Sequence, residues 1–349
     1  MTEATDERWW PVGAATGIGA VPGTDPLEAA RLVLGELPDL PHLPELPDRG
    51  MGSDFLPRGA LFLADLHVDW QPAGWRLIAR PGTEERRARD LLNRDLDAFE
   101  EVAGAYPGPV KVQVAGPWSL AAGLELPRGD KVLRDAGAVR DLGVALAEGF
   151  AAHLGDLHRR LRAATILVQL DEPALPAVLA GRLTTASGFG ALPAPEPADV
   201  VALLRQAGDA IAASGGVPLV HCPRPNPPIG LLAAAGAWAV ALDAGTLGRS
   251  DDDPIGEYVE AGGRLLLGLV PTTFARPGDP AAPTAPSELA APAIALWRRL
   301  GFDARQLAEV VAVTPAGGLG GRSPAQARAA MTAAREVARV LAEAPEGAG

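Results

Sequence analysis

A chain of 349 residues with 48% hydrophobic content can fill one large core, and length alone does not separate a single α/β barrel from two packed halves. Lys and Arg number 31 against 43 Asp and Glu, and the net charge of -12 repels phosphate backbones and anionic lipid, so the expected partner is a small molecule rather than nucleic acid or membrane. A single cysteine allows no intrachain disulfide, no run approaches the roughly 18 apolar residues of a membrane span, and the acidic start MTEATDERWW lacks the order of a signal peptide, so a cytoplasmic protein is expected.

Residues 14–20 (AATGIGA) predict a short first strand, and Asp25-Pro26 followed by LEAARLVLGEL predicts a first helix. The segment 37–58 (LPDLPHLPELPDRGMGSDFLPR) is too rich in proline for regular structure and is expected to wrap over one end of the fold. Residues 60–68 predict a second strand and 83–104 an exposed helix. Apolar runs at 110–115, 165–170, 217–221, 238–243, 265–270 and 310–314 predict further strands. Amphipathic stretches near 131–161, 196–214, 228–236, 254–262, 286–301 and 323–343 predict helices between and after them.

Strands that are near-continuous apolar runs are buried on both faces, as in a parallel sheet. About eight strands alternating with helices predict a (β/α)8 TIM barrel, a single domain over residues 1–349 with an irregular Pro-rich N-terminal insertion and flexible ends at 1–10 and 344–349. The alternative is an open doubly wound sheet. After Gly17 and Gly19, however, comes Pro22 rather than a helix opening in glycine, so the dinucleotide fingerprint is absent.

In such a barrel the chemistry gathers just after the strands. Asp171 and Glu172 follow an apolar strand, and adjacent positions point to opposite faces, so one is expected to bind substrate while the other braces a helix or loop. Trp118, after Gly116-Pro117, is suited either to stacking on a flat ring at the mouth or to closing the core. His221 and the sole cysteine, Cys222, look like half of a soft-metal or thiol site, although on a regular strand the two cannot both point inward. Asp243 is a strand-end carboxylate or an ordinary turn former.

At 110–120 (VKVQVAGPWSL), 168–179 (VQLDEPALPAVL), 314–321 (TPAGGLGG) and 16–24 (TGIGAVPGT) the sequence resembles cobalamin-independent methionine synthase, specifically its C-terminal catalytic barrel and short single-barrel relatives of actinobacterial type. The resemblance implies an eight-stranded barrel and an S-methyltransferase. Such an enzyme moves a methyl group from methyltetrahydrofolate or a methylcorrinoid, with a corrinoid protein as a possible partner, to the thiol of homocysteine, and zinc lowers the thiol's pKa.

By the same resemblance Asp171, in its QxDEPAL pattern, is the catalytic, homocysteine-binding aspartate. Ile18 and Gly19 hold the amino acid, with Ala20 where the family has serine, and Trp118 and Glu172 complete the substrate site. The implied metal ligands are His221, Cys222 and Asp243, but Pro223 and Gly317 stand at the family's two zinc-cysteine positions, so Cys222 needs a backbone bulge to serve. A second reading is a zinc-less paralogue that binds a small amino-acid-like ligand without methylating a thiol. A third, from GPWSLA, is the chemistry of the related uroporphyrinogen decarboxylase-like barrels.

Overall fold

The computed structural model describes residues 9–162, 164–185, 188–272 and 285–343. A curled sheet of six parallel strands organises them: β3 (Val110–Ala115), β4 (Ile166–Asp171), β5 (Gly216–His221), β6 (Ala239–Asp243), β7 (Arg264–Val270) and β8 (Val311–Pro315), paired in chain order. A separate antiparallel hairpin, β1 (His67–Gln71) and β2 (Gly74–Ile78), lies outside this sheet. The helices are α1 (Pro26–Glu36), α2 (Phe55–Ala60), α3 (Thr83–Ala103), α4 (Pro117–Gly123), α5 (Ala136–Arg160), α6 (Leu175–Leu179), α7 (Pro197–Ala213), α8 (Ile229–Ala234), α9 (Asp252–Glu260), α10 (Pro286–Leu300), α11 (Leu307–Val310) and α12 (Pro324–Glu343). None is long and apolar enough to cross a membrane.

Local chemistry sets the helix starts. Asp25 accepts from Leu27 N at 2.8 Å with Pro26 in the first turn of α1, and Asp135 caps α5 through Gly137 N, each cap contributing about 1 kcal/mol.

The two faces of the sheet have different cores. Outward positions such as Val112, Val168, Leu170, Val220, Val240, Leu267 and Val313 pack under the helices. Inward positions Leu167, Val217, Leu219, Ala239, Ala241, Leu266 and Ala312 form a second cluster with Ala14, Leu40 and Trp10. Trp10 meets Trp238 edge-on with ring centroids 4.8 Å apart, and Trp9 packs beside them, so residues 9 and 10 are anchored in the core rather than part of a flexible end. Residues 1–8 and 344–349, the rest of the expected flexible ends, lie outside the described residues.

Two expected strands are not strands. Residues 60–68 cover the end of α2, a turn and the start of the outlying hairpin. Residues 14–20 make only isolated bridges, Ala15 to Val313 of β8 and Ala20 to Glu45. The fold is therefore an α/β fold with a six-stranded curled parallel sheet rather than the expected eight-stranded ladder.

The proline-rich segment, expected over one end, instead runs between residues 14–21 and β3. Glu45 N donates to Gly19 O and Val21 N to Glu45 O, while Leu43 N donates to Lys111 O and Lys111 N to Pro41 O. Residues 37–48 repeat Leu-Pro-X four times, and Leu37, Leu40, Leu43 and Leu46 are all buried. A period of three with a missing N–H in every repeat cannot sustain a ladder whose side-chain period is two, so contact with β3 is limited to a bridge.

Candidate functional site

Register places the site. Ala115 of β3 pairs with Asp171 of β4, Asp171 with His221 of β5, and His221 with Ala241 of β6, forming one inward-facing row near the C-terminal ends of the strands. Adjacent strands lie about 4.8 Å apart, so register partners touch. His221 Nδ1 stands 2.7 Å from Asp171 Oδ1, and both side chains are almost buried. Gln169, one inward position below, donates from Nε2 to the same Oδ1 at 2.7 Å and to Ile18 O at 3.0 Å. Asp171 Oδ2 is left without a protein partner among the described residues.

Beneath this row lies a fully buried lysine that sequence reasoning passed over. Lys111 Nζ donates to Gln169 Oε1 at 2.7 Å and to Gln113 Oε1 at 3.1 Å, and Gln113 Nε2 donates to Leu43 O at 2.8 Å. Because its ammonium holds both amide oxygens, both amide nitrogens point the other way, toward Ile18 and Leu43. Side chains thus fasten the two segments that lack ladder pairing. Burial lowers the Lys111 ammonium to about 7, although the charges of Asp171 and Glu45 act to raise it.

Glu45 joins from the Leu-Pro-X repeat. Burial, together with the charges of Asp171 and Asp95, pushes its carboxyl up to about 7 against Arg58, whose Nε stands 3.4 Å from Glu45 Oε1. Arg58 is itself held by Asp95 at 2.7 Å. His42, another polar position of the repeat, accepts from Gly17 N at 3.2 Å, and burial drives its pKa well down. The signals for these residues were a lysine inside the apolar run 110–115 and the polar positions of the tripeptide repeat.

The expected substrate residues divide between the two faces. Ile18 contributes its carbonyl to Gln169, and Gly19 (φ +141°) sits where a Cβ would lie 3.0 Å from Gln113 Nε2 and 3.2 Å from Glu45 Oε2, so a side chain there would be strained and crowded. Glu172 points outward and is the brace. It accepts from Trp118 N at 2.9 Å, Ser119 N at 2.8 Å and Ser119 Oγ at 2.7 Å, filling the free N–H groups at the start of α4. A Cβ on Gly116 would lie 2.4 Å from Glu172 Oε1, which accounts for the glycine of the GPWS turn. Burial raises the Glu172 carboxyl to about 7 despite these bonds.

Trp118, expected either to stack at the mouth or to close the core, is 2% exposed and lies in the helix layer, its indole N–H donating to Val200 O. A tryptophan that follows Pro117 into α4 is carried outward with that helix, away from the face bearing Asp171.

The expected metal ligands do not assemble. Cys222 follows His221 with the alternation unbroken, so it packs with Val220 in the outer core. Burial and the nearby Glu172 charge raise its thiol to about 12, the opposite of a metal-ready thiolate. Asp243 accepts from Gly245 N at 2.9 Å and caps its own turn. Among the described residues no group of three or more His, Cys, Asp or Glu side chains is arranged to hold a metal. This donor set does not fit a zinc ion.

The sequence matches no protein-family model and no curated protein. Its fold is similar to that of a B12-independent methionine synthase from Shewanella sp. W3-18-1, solved in complex with selenomethionine, with a TM-score of 0.58 and 11% identity over 95% of this chain and 98% of that one. Looser similarity extends to a 2,3-dimethylmalate lyase of the PEP mutase/isocitrate lyase superfamily (TM-score 0.36, 13% identity, 88% of this chain and 76% of that one). It extends likewise to a GH5_18 protein from Streptomyces cattleya in complex with GlcNAc (TM-score 0.41, 16% identity, 96% and 82%). The Shewanella protein supports the fold, a methionine-synthase-like α/β architecture.

Proposed function

We propose that this protein is an enzyme of the methionine synthase type that binds a small amino-acid-like thiol such as homocysteine and methylates its sulfur from a methylated folate or corrinoid donor. The observation that carries this reading is Asp171, held by Gln169 and His221 at a strand end with Oδ2 left for a ligand ammonium group. In the transfer, an S–C bond forms, the donor–methyl bond breaks with its electron pair left on the donor, and the thiol proton passes to the leaving folate nitrogen or, with a corrinoid donor, to solvent. No step is assigned to zinc, because the residues at the family's zinc positions do not converge.

The second reading, an amino-acid-binding paralogue without methyl transfer, is favoured by two specific observations: Cys222 faces the helices and Asp243 caps its own turn. Calorimetry with homocysteine, paired with mass spectrometry of methyl transfer from methyltetrahydrofolate and from methylcobalamin, separates the readings. Binding with transfer, both lost in Asp171→Asn, is the expected result. Binding without transfer from either donor selects the second reading, and no binding of homocysteine overturns both.

A further inference from the structure

A cavity lies in the helix layer, on the opposite face of the sheet from Asp171. It lies beside the contact between α5 and α7, where a Cβ on Gly143 would stand 2.4 Å from Leu203 Cδ1, so the Leu203 side chain packs directly on the Gly143 backbone. Toward the N-termini of both helices the facing residues are as small as Ala136 and Ala202, and a space of about 410 Å³ remains. That volume is in the range of small-molecule sites, about 300–1,000 Å³.

The floor is apolar. Trp118, Leu133, Val139 and Leu203 line it, none more than 9% exposed. The rim is charged and asymmetric. Arg140 stands on the α5 side, exposed and without a hydrogen bond or ion pair among the described residues, while Asp199 stands on the α7 side. Arg134, also on the α5 side, is engaged by Asp130 at 2.8 Å. An anion is therefore attracted to one edge and repelled from the other, while a flat ring is matched to the floor between two helices.

We propose that this groove is a binding site for a flat aromatic carboxylate, its ring among the exposed Pro193, Ala194 and Ala202 above the buried Trp118 and Leu203, and its carboxylate on Arg140. The site is independent of the interior one and does not rest on the proposed methyl transfer. It is nonetheless joined to it by the chain, since the Trp118 main-chain N–H is bound by Glu172, the neighbour of Asp171.

The test uses 2-naphthoate and full-length protein labelled with 5-fluorotryptophan, followed by 19F NMR, with the Trp118 resonance assigned through Trp118→Phe. The expected result is a saturable shift of that resonance. Affinity should fall by about fivefold in Arg140→Met, the scale of an exposed ion pair, and rise in Asp199→Asn. Ala202→Trp, at an exposed position, should fill the groove and abolish the shift while leaving the fold intact. The proposal is overturned if the Trp118 resonance does not respond, if neutral 2-naphthamide binds as tightly as naphthoate, or if binding survives Ala202→Trp but is lost in Asp171→Asn.

Discussion

His221 Nδ1 and Asp171 Oδ1 lie 2.7 Å apart because the two residues are register partners on adjacent parallel strands. The contact follows from strand pairing and requires no loop to be placed. Replacing His221 by Ala leaves Asp171 Oδ1 with Gln169 as its remaining donor, and a buried acceptor losing a charged-group bond costs about 1–3 kcal/mol. Urea unfolding should show that loss with an unchanged m-value. A change below about 0.5 kcal/mol, the scale of a neutral surface substitution, would mean the pair is not formed in solution.

Glu172 is a structural carboxylate, and its removal should act on stability first. Glu172→Ala strands the N–H groups of Trp118 and Ser119 and the Ser119 hydroxyl, with an expected cost of about 3 kcal/mol or more. Glu172→Gln keeps an acceptor oxygen and should recover part of it. Equal stability of the alanine variant and the parent in a denaturant titration would contradict the bracing role.

Stability should depend on pH in opposite senses on the two sides of neutrality. Glu45 and Glu172 are raised from 4.5 to about 7, so their contribution is fully present below pH 4.5 and lost as pH rises toward 7. Lys111 is lowered from 10.5 to about 7, so between 7 and 10.5 the unfolded chain binds the extra proton and stability rises with pH. Lys111→Met should remove the rise above pH 7 and leave the acid side in place. An unchanged alkaline slope, measured by denaturation at several pH values, would show that Lys111 is not buried as described.

Cys222 packs among apolar side chains and touches no assembled ligand set. Cys222→Ala should change stability by about 1 kcal/mol and leave metal content, read by mass spectrometry on protein purified without chelators, the same as in the parent. Stoichiometric zinc in the parent that disappears in Cys222→Ala would place the thiol on the inner face and overturn the alternation argument.

Apolar periodicity located the six central strands and the longer helices between them but not the short α4, α6 and α11, because residues buried on both faces of a sheet leave no choice of composition. It misassigned residues 14–20 and 60–68 as strands while placing α1 and α3 correctly. The tripeptide repeat Leu37 to Asp48 has neither a strand's period nor a helix's, and its place beside β3 depends on main-chain bonds from Leu43 and Lys111 that no local pattern encodes.

By itself the sequence determined that Asp171 and Glu172 face opposite ways, and likewise His221 and Cys222, since alternation is a property of any strand. Which member of each pair faces inward was decided only by the tertiary structure, through the curl of the sheet and the helices packed on its outer face. So too was the gathering of Glu45, Lys111, Gln169, Asp171 and His221, which come from four separate segments of the chain. Their proximity is a matter of strand register and of a lysine long enough to reach two glutamines from the layer below.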